Sequence, residues 1–225
     1  MFGHSTTSVT EKMRHWQDRV REPSLTLLLV GQIVTLFVAG PLLSAHLLNF
    51  AVMDSLQILL LLVSALALPP RSYVRVLLLL CLAVMLWMLV VGPEPHLGLV
   101  LHTVATFSIT MAVGQSVFQA RRITRHQLLG AVVVYLNVAL LFVGAYDSLN
   151  QIFPGAFTIS TGAPLQSGEL VYFSLTTLTS TGYGDILPVH PLARSLANLE
   201  AVAGQLFLAI FLARLVSQHS GSPRA

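Results

Sequence analysis

The sequence predicts an all-α integral membrane protein with six transmembrane helices and one re-entrant segment between the last two. Hydrophobic residues make up 55% of the 225 residues and charged residues only 9%, whereas soluble domains contain roughly 25% charged residues. Residues 23–53 and 95–120 contain no charged side chain at all. Because an α-helix needs about 20 apolar residues to cross the bilayer, composition excludes an ordinary soluble domain.

Hydropathy predicts a lipid bilayer environment for six spans: 25–47, 52–69, 74–92, 97–119, 127–147 and 192–216. Residues 168–184, between the last two spans, are predicted to enter the membrane and return. Gly40-Pro41 suggests a kink in the first span, which membrane helices tolerate.

The distribution of basic residues predicts the orientation. With the N-terminus in the cytoplasm, eleven of the twelve Lys and Arg residues fall on the inner side, and only Arg194 falls outside. We therefore expect a multi-pass protein of the cell's inner (plasma) membrane with both termini cytoplasmic. The pI of about 9.4 then reflects membrane orientation and gives no reason to expect a nucleic-acid partner.

The most informative segment runs from Thr176 to Asp185 and reads Thr-Thr-Leu-Thr-Ser-Thr-Gly-Tyr-Gly-Asp. Four subunits that each carry such a segment can line a narrow pore with carbonyl oxygens that replace the hydration shell of K+. A strand whose carbonyls all point inward needs backbone conformations that residues with a Cβ seldom adopt, and Gly182 and Gly184 permit them. A hydroxyl-rich run before Gly-Tyr-Gly, and an Asp after it, make this signal far more specific than the tripeptide alone.

The stretch from Leu170 to Asp185, followed by Pro188, closely resembles the pore helix and selectivity filter of tetrameric potassium channels, of the bacterial type with six spans per chain. The resemblance implies a passive, potassium-selective channel that works as a homotetramer. It also implies that the protein is not an enzyme and needs no cofactor besides permeant K+. In this interpretation the fifth span is the outer helix and residues 148–167 form an extracellular turret.

The resemblance also assigns roles to individual residues. Glu169 to Thr179 would form a half-helix whose C-terminal end, with its partial negative charge, points at the pore centre. Potassium would bind the backbone carbonyls of residues 180–184, called the candidate filter below, and the Ser180 hydroxyl would be the innermost ligand. The filter residues are Ser180, Thr181, Gly182, Tyr183 and Gly184, and the supporting residues are Tyr172, Phe173, Thr176, Thr177, Thr179 and Asp185. Tyr172 and Phe173 would pack behind the filter, the alternative being lipid-facing aromatics.

Two residues depart from the commonest pattern of that family, Thr-Val-Gly-Tyr-Gly. Ser180 replaces Thr and loses the methyl group that fixes the rotamer by packing. Thr181 replaces an apolar residue and places a hydroxyl behind the filter, where it needs a partner. A weakly selective cation channel therefore stays open as an alternative. A transporter or a non-conducting membrane scaffold is a second one, although no second copy of the segment is found.

Glu200 and Gly204, in the last predicted span, each have a functional and a structural interpretation. Glu200 is the acidic residue deep in this span. It either lowers the energy of a cation in the pore cavity or is a structural group bonded to a pore-helix hydroxyl such as that of Thr176 or Thr177. Gly204 lies nineteen residues after Asp185, similar to the gating-hinge glycine of the family. Alternatively, it only lets helices approach closely.

Four parts of the chain are predicted: a cytoplasmic segment 1–24, a four-helix transmembrane domain 25–126, a pore domain 127–217 and a short cytoplasmic tail 218–225. Residues 1–24 form either an interfacial helix anchored by Trp16 or a solvated tail, and the C-terminal tail is too short for a ligand-binding domain. The fourth span contains no Arg or Lys, so we expect no arginine voltage sensor. Arg121, Arg122 and Arg125 follow that span as an inner-surface anchor or linker.

The remaining interpretations concern the single cysteine and four of the histidines. Cys81 lies within a span and is expected to be a packing residue. The histidines of the outer half are His46, His96, His102 and His190. His190 follows the candidate filter closely enough to sense external protons near the ordinary histidine pKa of ~6.5.

Overall fold

The computed structural model describes residues 25–45, 47, 50–67, 73–91, 95–119, 124–160, 162, 165 and 167–220. Its helices are α1 (25–44), α2 (Phe50–Ala67), α3 (Tyr73–Val91), α4 (Pro95–Gln119), α5 (Arg125–Ile152), α6 (Ser167–Leu178) and α7 (Pro191–Ser220), with strands β1 (Phe157–Ile159) and β2 (Ile186–Pro188). The predictions for residues 1–24, His46, Arg121, Arg122 and the tail 221–225 lie outside the described residues.

Six of the helices coincide with the six predicted spans. Within the described residues, four stretches are long and apolar enough to cross a membrane: Leu25–Leu42, Leu97–Gln115, Gln127–Ile152 and Pro191–Ser217. Helices α2 and α3 hold shorter apolar stretches, Ser55–Ala65 and Tyr73–Met88. The prediction of a helical, multi-pass membrane protein is confirmed.

Helix α1 contains a π-helical turn at Thr35–Ala39, immediately before Gly40-Pro41. Pro41 has no N–H to donate, and its ring clashes with the carbonyl four residues earlier in a regular helix. In the π turn the Gly40 N–H instead reaches back to the Thr35 carbonyl. The irregularity therefore lies one turn before the predicted kink, and its cause is the proline.

Helices α4 and α5 approach each other closely at two glycines of α5. A methyl group at Gly130 would lie 2.8 Å from Cγ2 of Val117, and one at Gly144 would lie 2.7 Å from Oγ1 of Thr103. Small residues at such positions let membrane helices pack backbone to backbone. This contact joins the four-helix part of the chain to the fifth span. Cys81 lies in the apolar core between α2, α3 and α4, as a packing residue should.

The segment between α5 and α6 is more ordered than a turret loop. Helix α5 continues to Ile152, so the first five residues of the predicted loop are helical. Strand β1 then pairs antiparallel with β2, with Thr158 opposite Leu187, and these two short strands of an otherwise helical structure were not predicted. Phe157 and Ile186 turn inward from the strands and join the buried core that includes Tyr146 and Phe173. Burial of these side chains provides the reason for the pairing.

A buried polar contact links the first and fifth spans. The Gln32 side-chain amide donates a hydrogen bond of 2.6 Å to the Asn137 side-chain oxygen, and both residues are at most 4% exposed. Interhelical hydrogen bonds of this kind stabilise membrane proteins only modestly, but an unpaired buried amide is costly.

We expect Gln32→Leu to lower the free energy of unfolding by roughly 0.5 to 2 kcal/mol, because it leaves the Asn137 amide buried without this partner. Adding Asn137→Leu should recover most of that loss, since replacing both partners by apolar groups is nearly neutral. Unfolding of purified protein in detergent, followed by circular dichroism, measures both effects. Thr35→Val is the control, because Thr35 bonds the Gly31 carbonyl of its own helix. A double variant as unstable as the single one would contradict the pairing argument.

Candidate ion pore

Helix α6 lies between α5 and α7 and positions the candidate filter. It begins two residues before the predicted Glu169 and ends one residue before Thr179. Leu170, Ser174 and Leu178 are at most 1% exposed and recur every four residues, so one face of the helix is buried. The buried face fixes α6, and the candidate filter starts directly after its end.

The chain reverses direction at the end of α6 through its own last carbonyls. The Thr177 carbonyl accepts the Ser180 N–H at 2.9 Å. The Thr176 carbonyl accepts the N–H groups of Thr181 at 2.8 Å and Gly182 at 3.2 Å. These terminal carbonyls of the helix are thereby satisfied, and the first half of the candidate filter is attached to the helix.

Backbone handedness alternates along the candidate filter. φ is +57° at Ser180, +55° at Gly182 and +81° at Gly184, whereas Thr181 and Tyr183 do not have positive φ. A regular strand points successive carbonyls to opposite sides, and alternating the sign of φ is a way to turn them toward one side. Among the described residues, no atom lies within 4 Å of a methyl group built at Gly182 or Gly184, so the need for glycine is conformational. The positive φ of Ser180 was not predicted.

Side chains around the candidate filter form two local contacts. The hydroxyls of Thr179 and Thr181 lie 2.8 Å apart and share a hydrogen bond, so the Thr181 hydroxyl has the partner that it needs. Tyr172 donates a hydrogen bond of 2.8 Å to the Asp185 carboxylate, and its ring stacks on that of Tyr183 with centroids 6.1 Å apart. Asp185 also accepts the Ile186 N–H at 3.1 Å. The outer end of the candidate filter is thus held from α6.

Phe173 was expected behind the filter beside Tyr172, and the structure places it elsewhere. Its ring lies 5.1 Å from that of Tyr146 and 5.5 Å from that of Phe157, in the core between α6, α5 and β1. Successive side chains of an α-helix point about 100° apart, so neighbours in the sequence cannot both face the same small target. Only Tyr172 of the pair contacts the candidate filter.

Glu200 is buried within the protomer, with 0% of its surface exposed. Its carboxylate accepts a hydrogen bond of 2.5 Å from the Tyr146 hydroxyl on α5 and one of 2.5 Å from the Ser174 hydroxyl on α6. The expected bond to a hydroxyl of this helix is present, but the donor is Ser174 and not Thr176 or Thr177, which were named as examples. The register explains the difference, because Ser174 lies on the buried face of α6 and the two threonines are only half-buried. Glu200 joins three helices and does not face a cavity within this protomer.

Gly204 lies against the end of α6. A methyl group there would overlap the Leu178 carbonyl oxygen and lie 3.0 Å from the carbonyl carbon. This observation supports the close-approach interpretation of Gly204, while its role as a hinge stays a prediction. The Leu178 carbonyl also receives a hydrogen bond of 3.3 Å from the Tyr135 hydroxyl. One carbonyl group therefore fixes α6 against both α5 and α7.

Several residues of the site were missed from sequence. Gln205 on α7 donates a hydrogen bond of 3.0 Å to the Ser180 hydroxyl. The only sequence signal for Gln205 was its place beside Gly204. There was no such signal for Tyr135, Tyr146 and Ser174, because their hydrogen-bond partners lie 26 to 54 residues away. His190, considered as a proton sensor, stacks on Phe153 with ring centroids 4.4 Å apart.

The inner end of α7 contacts α4. The Arg214 guanidinium donates a hydrogen bond of 2.9 Å to the Val117 carbonyl, and it lies 6.0 Å from the centre of the Phe118 ring. A cation near the last carbonyls of a helix is stabilised by the helix dipole. Phe207 packs between Phe118, at 6.2 Å, and Tyr135, at 5.5 Å. Helix α4 thus contacts α7 through Val117 and Phe118.

Comparison with known proteins finds similarity in this region of the chain. Residues 132–219 match the family model described as an ion channel. The chain is 36% identical over 81 residues to the inward rectifier potassium channel Kirbac3.1 of Paramagnetospirillum magnetotacticum, which covers 34% of this chain and 24% of that protein. It is also 36% identical over 83 residues to the two pore potassium channel c of Oryza sativa subsp. japonica, which covers 35% of this chain and 18% of that protein.

No solved structure matches the chain significantly. The similarity spans a quarter or less of the length of the two curated relatives. The residues matched by the family model include α6, the candidate filter, most of α5 and nearly all of α7. Residues 132–219 are thus similar to the ion channel family, and within it to potassium channels.

The buried carboxylate gives a prediction about stability. In the wild-type background Tyr146→Phe should lower the free energy of unfolding by about 1 kcal/mol, since one hydrogen bond to the Glu200 carboxylate is lost. In a Glu200→Leu background the same change should be neutral or stabilising, because it removes a hydroxyl that has lost its acceptor. Ser174 keeps the Ala139 carbonyl, 2.9 Å away, as an alternative acceptor. Thermal unfolding in detergent measures this double-mutant cycle, and equal effects of Tyr146→Phe in both backgrounds would refute the contact.

Proposed function

We propose that the chain forms a homotetrameric, potassium-selective channel that conducts K+ passively across the cell's inner (plasma) membrane. The observation that carries this proposal is the alternation of φ along Ser180, Gly182 and Gly184 directly after a buried half-helix. Backbone carbonyls turned to one side can replace the hydration shell of K+. The similarity of residues 132–219 to potassium channels supports the same conclusion.

The length of α6 supports a re-entrant pore helix. Twelve residues rise about 18 Å, which is too short to cross a hydrocarbon core of ~30 Å. Helix α6 lies between two long apolar helices that are able to cross, so the chain is expected to enter and leave on one side. Six spans then follow from α1 to α5 and α7, and the positive-inside rule favours cytoplasmic termini.

Exposure of the candidate filter supports assembly from several copies. The Tyr183 side chain is 72% exposed in the protomer, and most of the candidate filter is exposed with it. Polar backbone of this kind is tolerated at membrane depth only if it is buried in protein or lines water. Only 11% of the apolar stretch Pro191–Ser217 of α7 is buried inside the protomer. Four copies around a central axis would cover this face and complete the ring of carbonyls.

Selectivity for K+ over Na+ is favoured by the side chains behind the candidate filter. Thr181 departs from the family pattern and carries a hydroxyl that needs a partner. That hydroxyl is hydrogen-bonded to the hydroxyl of Thr179. Tyr172 and Asp185 hold the outer end. A weakly selective cation channel is the rival outcome, and the transporter or scaffold hypothesis predicts no passive flux at all.

Flux measurement in liposomes tests the function, with Gly182→Ala as the decisive variant. Wild-type protein should pass K+ in preference to Na+, and Gly182→Ala should abolish flux while the protein still inserts and assembles, because a φ of +55° disfavours a Cβ. Gly155→Ala is the matched control: Gly155 also has positive φ, +84°, and open space around it, but it lies in the outer loop. The Gly155→Ala protein should be somewhat less stable than the wild type and should keep its K+ flux.

Three results would count against the proposal. Normal K+ flux in Gly182→Ala would refute the filter assignment. Equal Na+ and K+ permeation would favour the weakly selective alternative. A conducting species of monomeric mass in detergent would refute the tetramer.

The fourth span predicts weak dependence on voltage. Moving one charge through the membrane is worth about 2.3 kcal/mol per 100 mV, and steep gating needs several charges per subunit. Helix α4 carries no Arg or Lys. Replacing Arg121, Arg122 and Arg125 together by Gln should change expression or orientation and leave the steepness of the conductance–voltage curve unaltered in planar bilayers. A steep curve that flattens in this variant would show that these arginines are gating charges.

A further inference from the structure

The hydroxyl at the inner end of the candidate filter is contacted by a side chain of the last helix. Gln205 Nε2 donates a hydrogen bond of 3.0 Å to Ser180 Oγ, across 25 residues of sequence. Both side chains are exposed in the protomer, on the face that a tetramer would turn toward its cavity. The contact therefore lies where a cation would pass between cavity and filter.

Ser180 needs such a partner because nothing in its own side chain fixes its rotamer. Serine lacks the second Cβ substituent that restricts χ1 in threonine. The neighbouring hydroxyls of Thr179 and Thr181 bond each other, 2.8 Å apart. The Ser180 N–H is used by the Thr177 carbonyl. The Gln205 amide is thus the group in position to orient the Ser180 hydroxyl.

A carboxamide is chemically suited to this task. Its N–H occupies one of the two lone pairs of the hydroxyl oxygen and leaves the other for a cation. It carries no charge, so it neither traps nor repels the permeant ion. Gly204 determines its reach, since the backbone of α7 at this glycine lies against Leu178, two residues before Ser180.

We propose that Gln205 is a positioning residue of the innermost cation site. In each subunit its amide holds the Ser180 hydroxyl in the orientation that binds K+, so the site is shared between the candidate filter and the last helix. This inference depends on the proposed potassium conduction, and it makes selectivity at that site sensitive to the position of α7.

Four channels test the proposal: wild type, Gln205→Met, Ser180→Ala and the double variant. Met has nearly the length of Gln and cannot donate a hydrogen bond. In planar bilayers with K+ and Na+ on opposite sides, Gln205→Met should lower the permeability ratio of K+ to Na+ by a factor of about 2 to 10, the range expected for one hydrogen bond. In the Ser180→Ala background the same change should have no further effect.

Two additional variants separate the hydrogen bond from a general effect of cavity polarity. Gln205→Asn keeps the amide but is one methylene shorter, so its permeability ratio should fall as in Gln205→Met. If the Gln205→Asn channel has wild-type selectivity, only cavity polarity matters and the proposal is overturned. Leu206→Met, on the neighbouring exposed residue, should leave the ratio unchanged. If Gln205→Met does not assemble, the cycle is repeated with Gln205→Asn.

Each remaining outcome is also decisive. An unchanged permeability ratio in assembled Gln205→Met and Gln205→Asn, or an equal effect with and without the Ser180 hydroxyl, would overturn the role of Gln205. Absence of K+ flux in the wild type would overturn the proposed function instead, so the two failures are distinguishable.

Discussion

The position of the candidate filter depends on how the end of α6 is fixed, and the Leu178 carbonyl is the centre of that attachment. The Tyr135 hydroxyl bonds it from α5, and the backbone of Gly204 packs on it from α7. The carbonyls of Thr176 and Thr177 then bind the N–H groups of the first filter residues. Any displacement of α6 would therefore be transmitted to the carbonyls that are proposed to bind K+. A side chain at position 204 would force such a displacement, which explains glycine there without a hinge.

Glu200 holds the same buried face of α6 at Ser174, one turn before Leu178. A carboxylate buried in a membrane protein is expensive unless its oxygens are hydrogen-bonded. Tyr146 and Ser174 each provide a hydroxyl at 2.5 Å, from two different helices. The ring of Tyr146 also packs against those of Phe157 and Phe173, so the network borders an aromatic cluster. Polar and apolar contacts thus act on the same residues, and the buried face of α6 is held at Ser174 as well as at Leu178.

Local pattern was sufficient to predict the apolar helices and the positive φ of Gly182 and Gly184, and insufficient for the contacts between the helices. Long apolar runs define spans regardless of their neighbours, and Gly182 and Gly184 indicated positive φ by residue type alone. The pairing of β1 with β2 was missed, because each strand is three residues long and has no recognisable period. The partners of Glu200 and the hydrogen bond from Gln205 depend on which faces of α6 and α7 meet, and sequence spacing within one helix does not determine that.

The four-helix part of the chain restrains α7 through contacts that need no gating charge. Arg214 binds the Val117 carbonyl at the end of α4, and Phe207 packs on Phe118. Arg214 lies ten residues after Gly204, about 15 Å along the helix. The last helix is therefore held against α6 at one point and against α4 at another. If α7 bends between these points, either the contact with α4 breaks or α4 moves with it.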